Sequence, residues 1–176
     1  GVVTQNVDGL HQAAGSRNVI DLHGRIDRVV CLACGKQRPR RSLQSELEAL
    51  NPEWAARSGV IAPDGDADPD GADDPDFRLV HCECGGLLKP DVVFFGENVP
   101  KERVEASMAA LESARSLLVV GTSLMVFSGY RFVRAAGRLG RPIAVVNRGH
   151  SRADAHASVK LEGDAAERLS DVAERL

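Results

Sequence analysis

Thr4-Gln5-Asn6-Val7-Asp8-Gly9-Leu10-His11, followed by Asp21-Leu22-His23-Gly24, place two side-chain amides, carboxylates and two imidazoles close together near the start of the chain. The amides of Gln5 and Asn6 both donate and accept hydrogen bonds. An imidazole, with a reference pKa of about 6.5, can take up or release a proton near neutrality. Short apolar runs, Val2-Val3 and Val19-Ile20, precede the two polar clusters, and the turn glycines Gly9, Gly15 and Gly24 lie among them. This pattern predicts two strands delivering polar groups to one rim of a sheet. In open α/β sheets the carboxyl ends of the strands form the ligand crevice. Simpler readings stand beside this one. His23 could be a structural histidine satisfied by backbone, and Asp8 could cap a short following helix. His11 reads as a helix or pocket-wall residue, and His150 and His156 as solvated groups in a polar connection.

Two later positions have similar chemistry. Gly121-Thr122-Ser123 directly follows the apolar run Leu117-Leu118-Val119-Val120. A glycine there lets the backbone approach a ligand closely, and the hydroxyls can bond phosphate or ribose. The same tripeptide could also be an ordinary strand-ending turn. Asn147 closes the next apolar run, Ile143-Ala144-Val145-Val146, where an amide could reach an adenosine ribose, with Arg148 and Gly149 immediately after it.

All four cysteines fall in two pairs, Cys31-x-x-Cys34 before Gly35 and Cys82-x-Cys84 before Gly85-Gly86, with 47 residues between the pairs. Glycine after each pair permits the tight turn that aims two thiolates at one ion, and the spacing suits a closed tetrahedral zinc site. A disulfide or a redox C-x-x-C are the competing readings. A thioredoxin-type motif would need a helix directly after the first pair, which Pro39 opposes. His81 stands three before Cys84 and competes with Cys82 as fourth ligand. Cys82 is favoured, because a thiolate matches the other three. A second metal-like pattern, Asp66-x-Asp68-x-Asp70-Gly71, matches the first half of a calcium loop. It fails at the twelfth position, where Phe77 replaces the bidentate Glu, and it contains Pro69 and Pro75. It reads as a solvated loop.

The elements that must position these groups follow from periodicity. Residues 91–176 alternate strands and helices: a buried-strand run Val92–Phe95, a helix over 101–116 with Val104, Met108 and Leu111 on one face, the strand 117–120, a helix over 128–139 ending at Gly140, the strand 143–146 and a weaker strand Val159–Leu161. A final helix starts at Asp164 with Glu167 three residues on, a capping-box pattern, and has an apolar stripe of Ala165, Leu169, Val172, Ala173 and Leu176. The unbroken apolar run 117–120 is what a parallel strand covered on both faces requires. Strand–helix alternation predicts the α/β class with a Rossmann-like parallel sheet. Residues 1–30 and 91–176 would form it, and 31–90 would be a small inserted zinc-binding module carrying one short helix, Ser42–Leu50, with Leu43, Leu47 and Leu50 inward.

Composition narrows the class. The 176 residues are 43% hydrophobic and only 4% aromatic, so the core rests on Val, Leu, Ala and Ile. Net charge is −3, but Asp64–Asp76 holds seven Asp and no Lys or Arg, leaving the remainder at +4. There is no clustered basic stripe of the kind a nucleic-acid binder shows. No apolar run is long enough to span a membrane, and neither a signal peptide nor a repeat is visible.

Taken in order, TQNVDGLHQAAG, LHG, the two cysteine pairs, KPDVVFFGE (Lys89–Glu97), GTS and VN resemble the sirtuins, NAD-dependent protein deacylases. KPDVVFFGE and SGYRF (Ser128–Phe132) look most like the family's class II branch. The resemblance spans essentially the whole chain. It implies that Gln5 contacts the nicotinamide ribose. Asn6, Val7 and Asp8 would hold the nicotinamide end, and His23 would be the general base on a ribose hydroxyl. Val93, Phe95 and Gly96 would line an acyl-lysine tunnel with Val126. Gly121, Thr122, Ser123, Asn147, Arg148 and Gly149 would hold the adenosine side of NAD. Cys31, Cys34, Cys82 and Cys84 would hold structural Zn. The partner would be an acylated lysine on a protein or peptide, with no direct nucleic acid and no membrane, in the cytoplasm. Products would be deacylated lysine, nicotinamide and O-acyl-ADP-ribose.

The family's glycine-rich phosphate loop and a following Arg have no counterpart here. Their place is ahead of Gly1, so the chain is expected to be a truncated piece or a degenerate homologue, inactive alone, whose sheet lacks a central strand. The alternatives are a non-catalytic zinc-stapled peptide- or NAD-binding module, an ADP-ribosyltransferase, and another Rossmann-like NAD or thiamine-cofactor domain.

Overall fold

The computed structural model describes residues 1–56, 60–61, 67–68 and 75–175. In chain order the elements are β1 (Val2–Thr4), α1 (Leu10–Ala13), β2 (Val19–Asp21), β3 (Gly24–Cys31), β4 (Gln37–Pro39), α2 (Arg40–Leu50), α3 (Pro52–Ala55), β5 (Val60–Ile61), β6 (Ala67–Asp68), β7 (Leu88–Val92), α4 (Lys101–Ser113), β8 (Leu117–Val120), α5 (Phe127–Arg138), β9 (Ile143–Asn147), β10 (Val159–Glu162) and α6 (Ala165–Ala173). They form two compact units. The first comprises Gly1–Gln5, Gly15–Leu22 and Gly96–Leu176, the second Asn6–Ala14 and His23–Phe95. The expected boundaries lay at 30/31 and 90/91. In the structure β3 and β7 are hydrogen-bonded partners, and both belong to the second unit along their whole length. No helix among the described residues is long and apolar enough to cross a membrane.

The first unit is built from parallel strands, as the strand–helix alternation predicts. β1 lies parallel to β2 with Thr4 opposite Asp21, and β8, β9 and β10 form a three-stranded parallel sheet in the order β10-β9-β8. β9 is the buried centre, with Ile143, Val145 and Val146 at 3% exposure or less. The core gathers Leu22, Leu111, Val119, Leu124, Phe132, Val133, Ala136, Ile143 and Val145. β8 departs from expectation. Only Val119 of its apolar run is buried, and Leu118 is 52% exposed. A run of apolar residues specifies a strand but not how many neighbours flank it, and β8 has only β9 as partner among the described residues.

Helix limits match the sequence within a few residues. α4 stops at Ser113 rather than 116, because Ala114 is already extended and the chain must reach β8. α5 ends in a double closure, with Gly140 N bonded to Gly137 O and Arg141 N to Ala136 O, the Schellman arrangement. Asp164 caps α6, its Oδ1 accepting from Ala166 N at 2.9 Å and Glu167 N at 3.3 Å. The α6 stripe nonetheless remains open, Leu169 and Val172 being 37% and 39% exposed.

The second unit is an antiparallel sheet in the order β4-β3-β7. β3 carries an irregularity opposite Pro90: the register passes from Arg25↔Asp91 to Val29↔Pro90. A proline has no N–H to give a ladder and is tolerated at such a bulge. The buried strand expected at Val92–Phe95 does not form. The strand is Leu88–Val92, antiparallel to β3, and Phe94 and Phe95 are 50% and 99% exposed. Four apolar residues in a row read as a buried strand, but the β3 ladder ends opposite Val92. α2 begins two residues earlier than the sequence suggests, with Leu43 and Leu47 half-buried and Leu50 43% exposed. Asn51 closes the module: its amide donates to Leu47 O and Arg78 O, and its oxygen accepts from Arg78 N at 2.7 Å. Trp54 meets Phe77 edge-on, centroids 5.1 Å apart. Of the calcium-like pattern, Asp68 lies in β6, while Asp66, Pro69, Asp70 and Gly71 fall outside the described residues.

Candidate functional site

In the first unit, parallel register fixes where the polar groups emerge. Thr4 pairs with Asp21 and Val120 with Val146, so the carboxyl ends of β1 and β2 are level, as are those of β8 and β9. Gln5 leaves β1 directly and Gly121-Thr122-Ser123 leaves β8. The two segments meet: Thr122 Oγ1 donates to Gln5 Oε1 at 3.3 Å. Thr122 Oγ1 also accepts from Leu124 N at 3.2 Å. This holds a turn in which Leu124, 6% exposed, adopts φ 54°. A side chain in that left-handed region is strained, and such strain clusters at functional turns. Asn147, 6% exposed, ends β9 and folds its own loop back, Nδ2 donating to Arg148 O at 3.1 Å and Gly149 O at 3.2 Å. Val126 is 49% exposed between Met125 at 69% and Phe127 at 52%, so the loop entering α5 is an apolar surface. Gly96 also lies in this unit.

Lys160, on β10, ties the loop after β9. Its ammonium reaches Gly149 O at 2.8 Å, Asp154 Oδ2 at 3.0 Å and Glu162 Oε2 at 3.1 Å. The Ser151 N–H and then Lys160 hold Asp154 below its ordinary 3.8. The Gly149 N–H and then Lys160 do the same for Glu162, and the two carboxylates in turn raise Lys160. Sequence reasoning missed this cluster. The alternation Lys160-x-Glu162, which places both side chains on one face of a strand, was its only sequence signal.

Asn6, Val7, Asp8, His23, Val93 and Phe95 belong to the second unit. Asp8 Oδ1 accepts from Leu10 N at 3.0 Å, so the capping reading of Asp8 is realised. Val7 O accepts from Ile26 N, and His23 O from Val93 N, each at 2.9 Å, tying the 6–8 segment to β3 and His23 to the end of β7. Asn6 and Asp8 are exposed, and His23 and Val93 half-buried. Arg25 was also missed. Its guanidinium forks onto Asp27, Nε to Oδ1 at 3.1 Å, and packs against the α-carbon of Gly9. Again the R-x-D spacing on a strand was the available sign.

The four cysteines converge. Cys31–Cys84 and Cys34–Cys82 sulfurs lie 3.5 and 3.7 Å apart, and all four lie within 4.8 Å of one another. Two turns bring them in. Gly35 N bonds to Cys31 O and Gly85 N to Cys82 O, with both glycines at positive φ. No disulfide joins them. A zinc ion bound by four thiolates at about 2.3 Å separates the sulfurs by roughly 3.8 Å, which fits this cluster. His81 is outside it, and β4 follows Cys34 where a thioredoxin-type motif would need a helix. The charges also ask for a cation. The Cys34 and Ala33 backbone N–H groups outweigh burial and lower the Cys31 thiol to about 6. At Cys84 the Gly86 N–H pulls down, yet the sulfurs of Cys34, Cys31 and Cys82 together push it up to about 12. Four crowded thiols cannot all ionise without a metal among them.

Residues 1–128 match the model of the Sir2 family. Among curated relatives, a Bordetella bronchiseptica NAD-dependent protein deacetylase is 55% identical over 172 residues, covering 97% of this chain and 63% of that protein. NAD-dependent protein deacetylase 1 of Streptomyces coelicolor is 53% identical over 177 residues, covering 100% and 59%. The chain thus spans less than two thirds of the length of these relatives. Among solved structures, a Sir2 with a p53 peptide and NAD+ superposes with a TM-score of 0.73 at 28% identity, covering 98% of this chain and 61% of that one. A Sir2 bound to an acetylated peptide gives 0.74 at 27%, covering 98% and 62%. With its parallel strands, its cysteine cluster and this family match over 128 of 176 residues, the chain belongs to the Sir2 family.

Proposed function

We propose that this chain is the larger part of an NAD-dependent protein-lysine deacylase. The observation that carries the reading is the Gln5–Thr122 hydrogen bond, which joins the first polar cluster to the GTS turn at the carboxyl ends of parallel strands. Such an end is where open α/β sheets take nucleotides. The donor set fits a dinucleotide: a glycine that admits close approach at Gly121, hydroxyls at Thr122 and Ser123, and a buried amide at Asn147 with Arg148 and Gly149 beside it. These residues would hold the adenosine side, and Gln5 the nicotinamide ribose.

Asn6, Val7 and Asp8 would grip the nicotinamide end. The second Asp8 oxygen would accept from the carboxamide, since Oδ1 is engaged by Leu10 N. NAD, when bound, supplies an anomeric carbon that accepts the acyl oxygen as nicotinamide departs. His23 would then take the proton of a ribose hydroxyl at an imidazole nitrogen, and its main chain is anchored by Val93 for that task. Val93, Phe95, Gly96 and Val126 would be the residues that contact the acyl chain. Cys31, Cys34, Cys82 and Cys84 would hold zinc as a staple without an open coordination position.

The test uses the natural polypeptide that carries this sequence. It should release nicotinamide only when given both NAD and an acyl-lysine peptide, with equimolar deacylated peptide. His23→Ala should lower that rate about 10²–10⁴-fold, as loss of a general base does. Unchanged release in His23→Ala overturns the mechanism. Peptide binding without turnover would favour the non-catalytic module instead.

A further inference from the structure

We propose that Gly129 is a positioning residue: its missing side chain reserves the space in which helix α5 holds the Gln5 amide for a bound dinucleotide. This rests on the deacylase reading above. Gly129 is the third residue of α5 and is buried. A Cβ built on it would stand 2.9 Å from each of the Gln5 Cδ, Nε2 and Oε1 atoms. No relaxed side chain tolerates that approach, so α5 lies against the Gln5 amide only because position 129 has no side chain. The Thr122 hydroxyl holds the amide oxygen at 3.3 Å, and the Leu124 N–H in turn holds that hydroxyl.

The direction of the consequence follows from stiffness. The Gln5 amide is the far end of a flexible side chain, whereas Gly129 sits in a helix whose neighbours Ser128, Phe132 and Val133 are buried. A methyl group at 129 therefore displaces the amide and leaves the helix in place. The same helix contains its own control. Gly137 is exposed, and a Cβ there meets nothing within 4 Å. Glycine disfavours both helical positions relative to alanine, but only at 129 does the packing require it.

The experiment compares Gly129→Ala, Gly137→Ala, Gln5→Ala and the Gln5→Ala/Gly129→Ala pair in the natural polypeptide carrying this sequence. NAD affinity is read by calorimetry, turnover by nicotinamide release and stability by thermal melting. Gly129→Ala should weaken NAD binding and raise its KM about tenfold with kcat within about twofold of wild type, while Tm holds or rises by about 2 °C. Gly137→Ala should show the Tm gain alone. In the Gln5→Ala background, Gly129→Ala should weaken binding no further. Wild-type affinity in Gly129→Ala overturns the inference, and so does a full additional loss in the Gln5→Ala background. If Gly129→Ala fails to fold, the pair should fold, because it lacks the clash; a pair that also fails to fold overturns the proposal. NAD binding that responds as expected, without any deacylation by the wild type, overturns the deacylase reading and leaves the Gly129 inference standing.

Discussion

Gly9 holds φ at 74° with the Arg25 guanidinium packed against it, so that a Cβ there would come within 2.6 Å of Nη2. Left-handed backbone costs a side chain about 1–2 kcal/mol, and the Arg25 guanidinium that occupies this space is also engaged by Asp27. Gly9→Ala should lower Tm by roughly 4 °C, readable in a thermal melt; an unchanged Tm would show that the Arg25–Gly9 contact does not constrain the 6–10 segment. At the same scale stands the fourth sulfur. Cys82 lies inside the cysteine cluster and His81 outside it. Cys82→Ala should abolish stoichiometric zinc in metal analysis of the purified protein, whereas His81→Ala should retain about one zinc per chain. Equal loss in both would make the imidazole a ligand.

Between elements, β10 and the connection that follows β9 share a charge cluster whose pH behaviour has a definite sign. Asp154 and Glu162 are held below their ordinary 3.8 and 4.5. Their contribution is therefore present above those values and is lost as pH falls through the lower folded ones. Lys160 is raised above its ordinary 10.5, so its contribution is present below that value and is lost as pH climbs through the higher folded one. Lys160→Met should therefore lower Tm throughout about pH 5–10, and the difference from wild type should shrink as Asp154 and Glu162 protonate in acid, leaving only the share that comes from the Gly149 carbonyl contact. Melts across that range check this. These groups are substantially solvated, and 0.5 M salt should shrink the effect. Because Lys160 also holds Gly149 O, the same variant should loosen the loop that follows Asn147.

The whole molecule has two units with different sources of stability. The first has a contiguous apolar core around β9. The second has a short antiparallel sheet, and among its described apolar side chains only Val29 and Cys31 reach 2% exposure or less. A unit with so small a core needs a staple, and metal binding to a closed thiolate site is folding free energy. Chelating zinc should therefore remove hydrogen-exchange protection from amides of β3, β4 and β7 while those of β9 stay protected. Equal loss in both units would sink the idea that the staple is local. The apolar residues left open on the first unit, Leu118, Val159, Leu161, Leu169 and Val172, should make the isolated chain bind a hydrophobic dye more strongly than a typical monomer.

The alternation of apolar runs with amphipathic stretches determined the helices α4, α5 and α6 and the parallel strands β8, β9 and β10, because hydrophobic periodicity is a local property. The cysteine pairs and their glycines likewise announced a cluster, since thiols and tight turns are written in adjacent residues. The order of polar motifs carried the family. Other features arise only where distant segments meet. Val92–Phe95 reads as a buried strand until the β3 ladder stops at Val92, and β8 reads as covered until β9 proves its single partner among the described residues. The contact of Gly129 with Gln5, separated by 124 positions, exists only in the folded chain. A residue's type fixes which bonds it can make, but register and packing decide which atoms come near enough to make them.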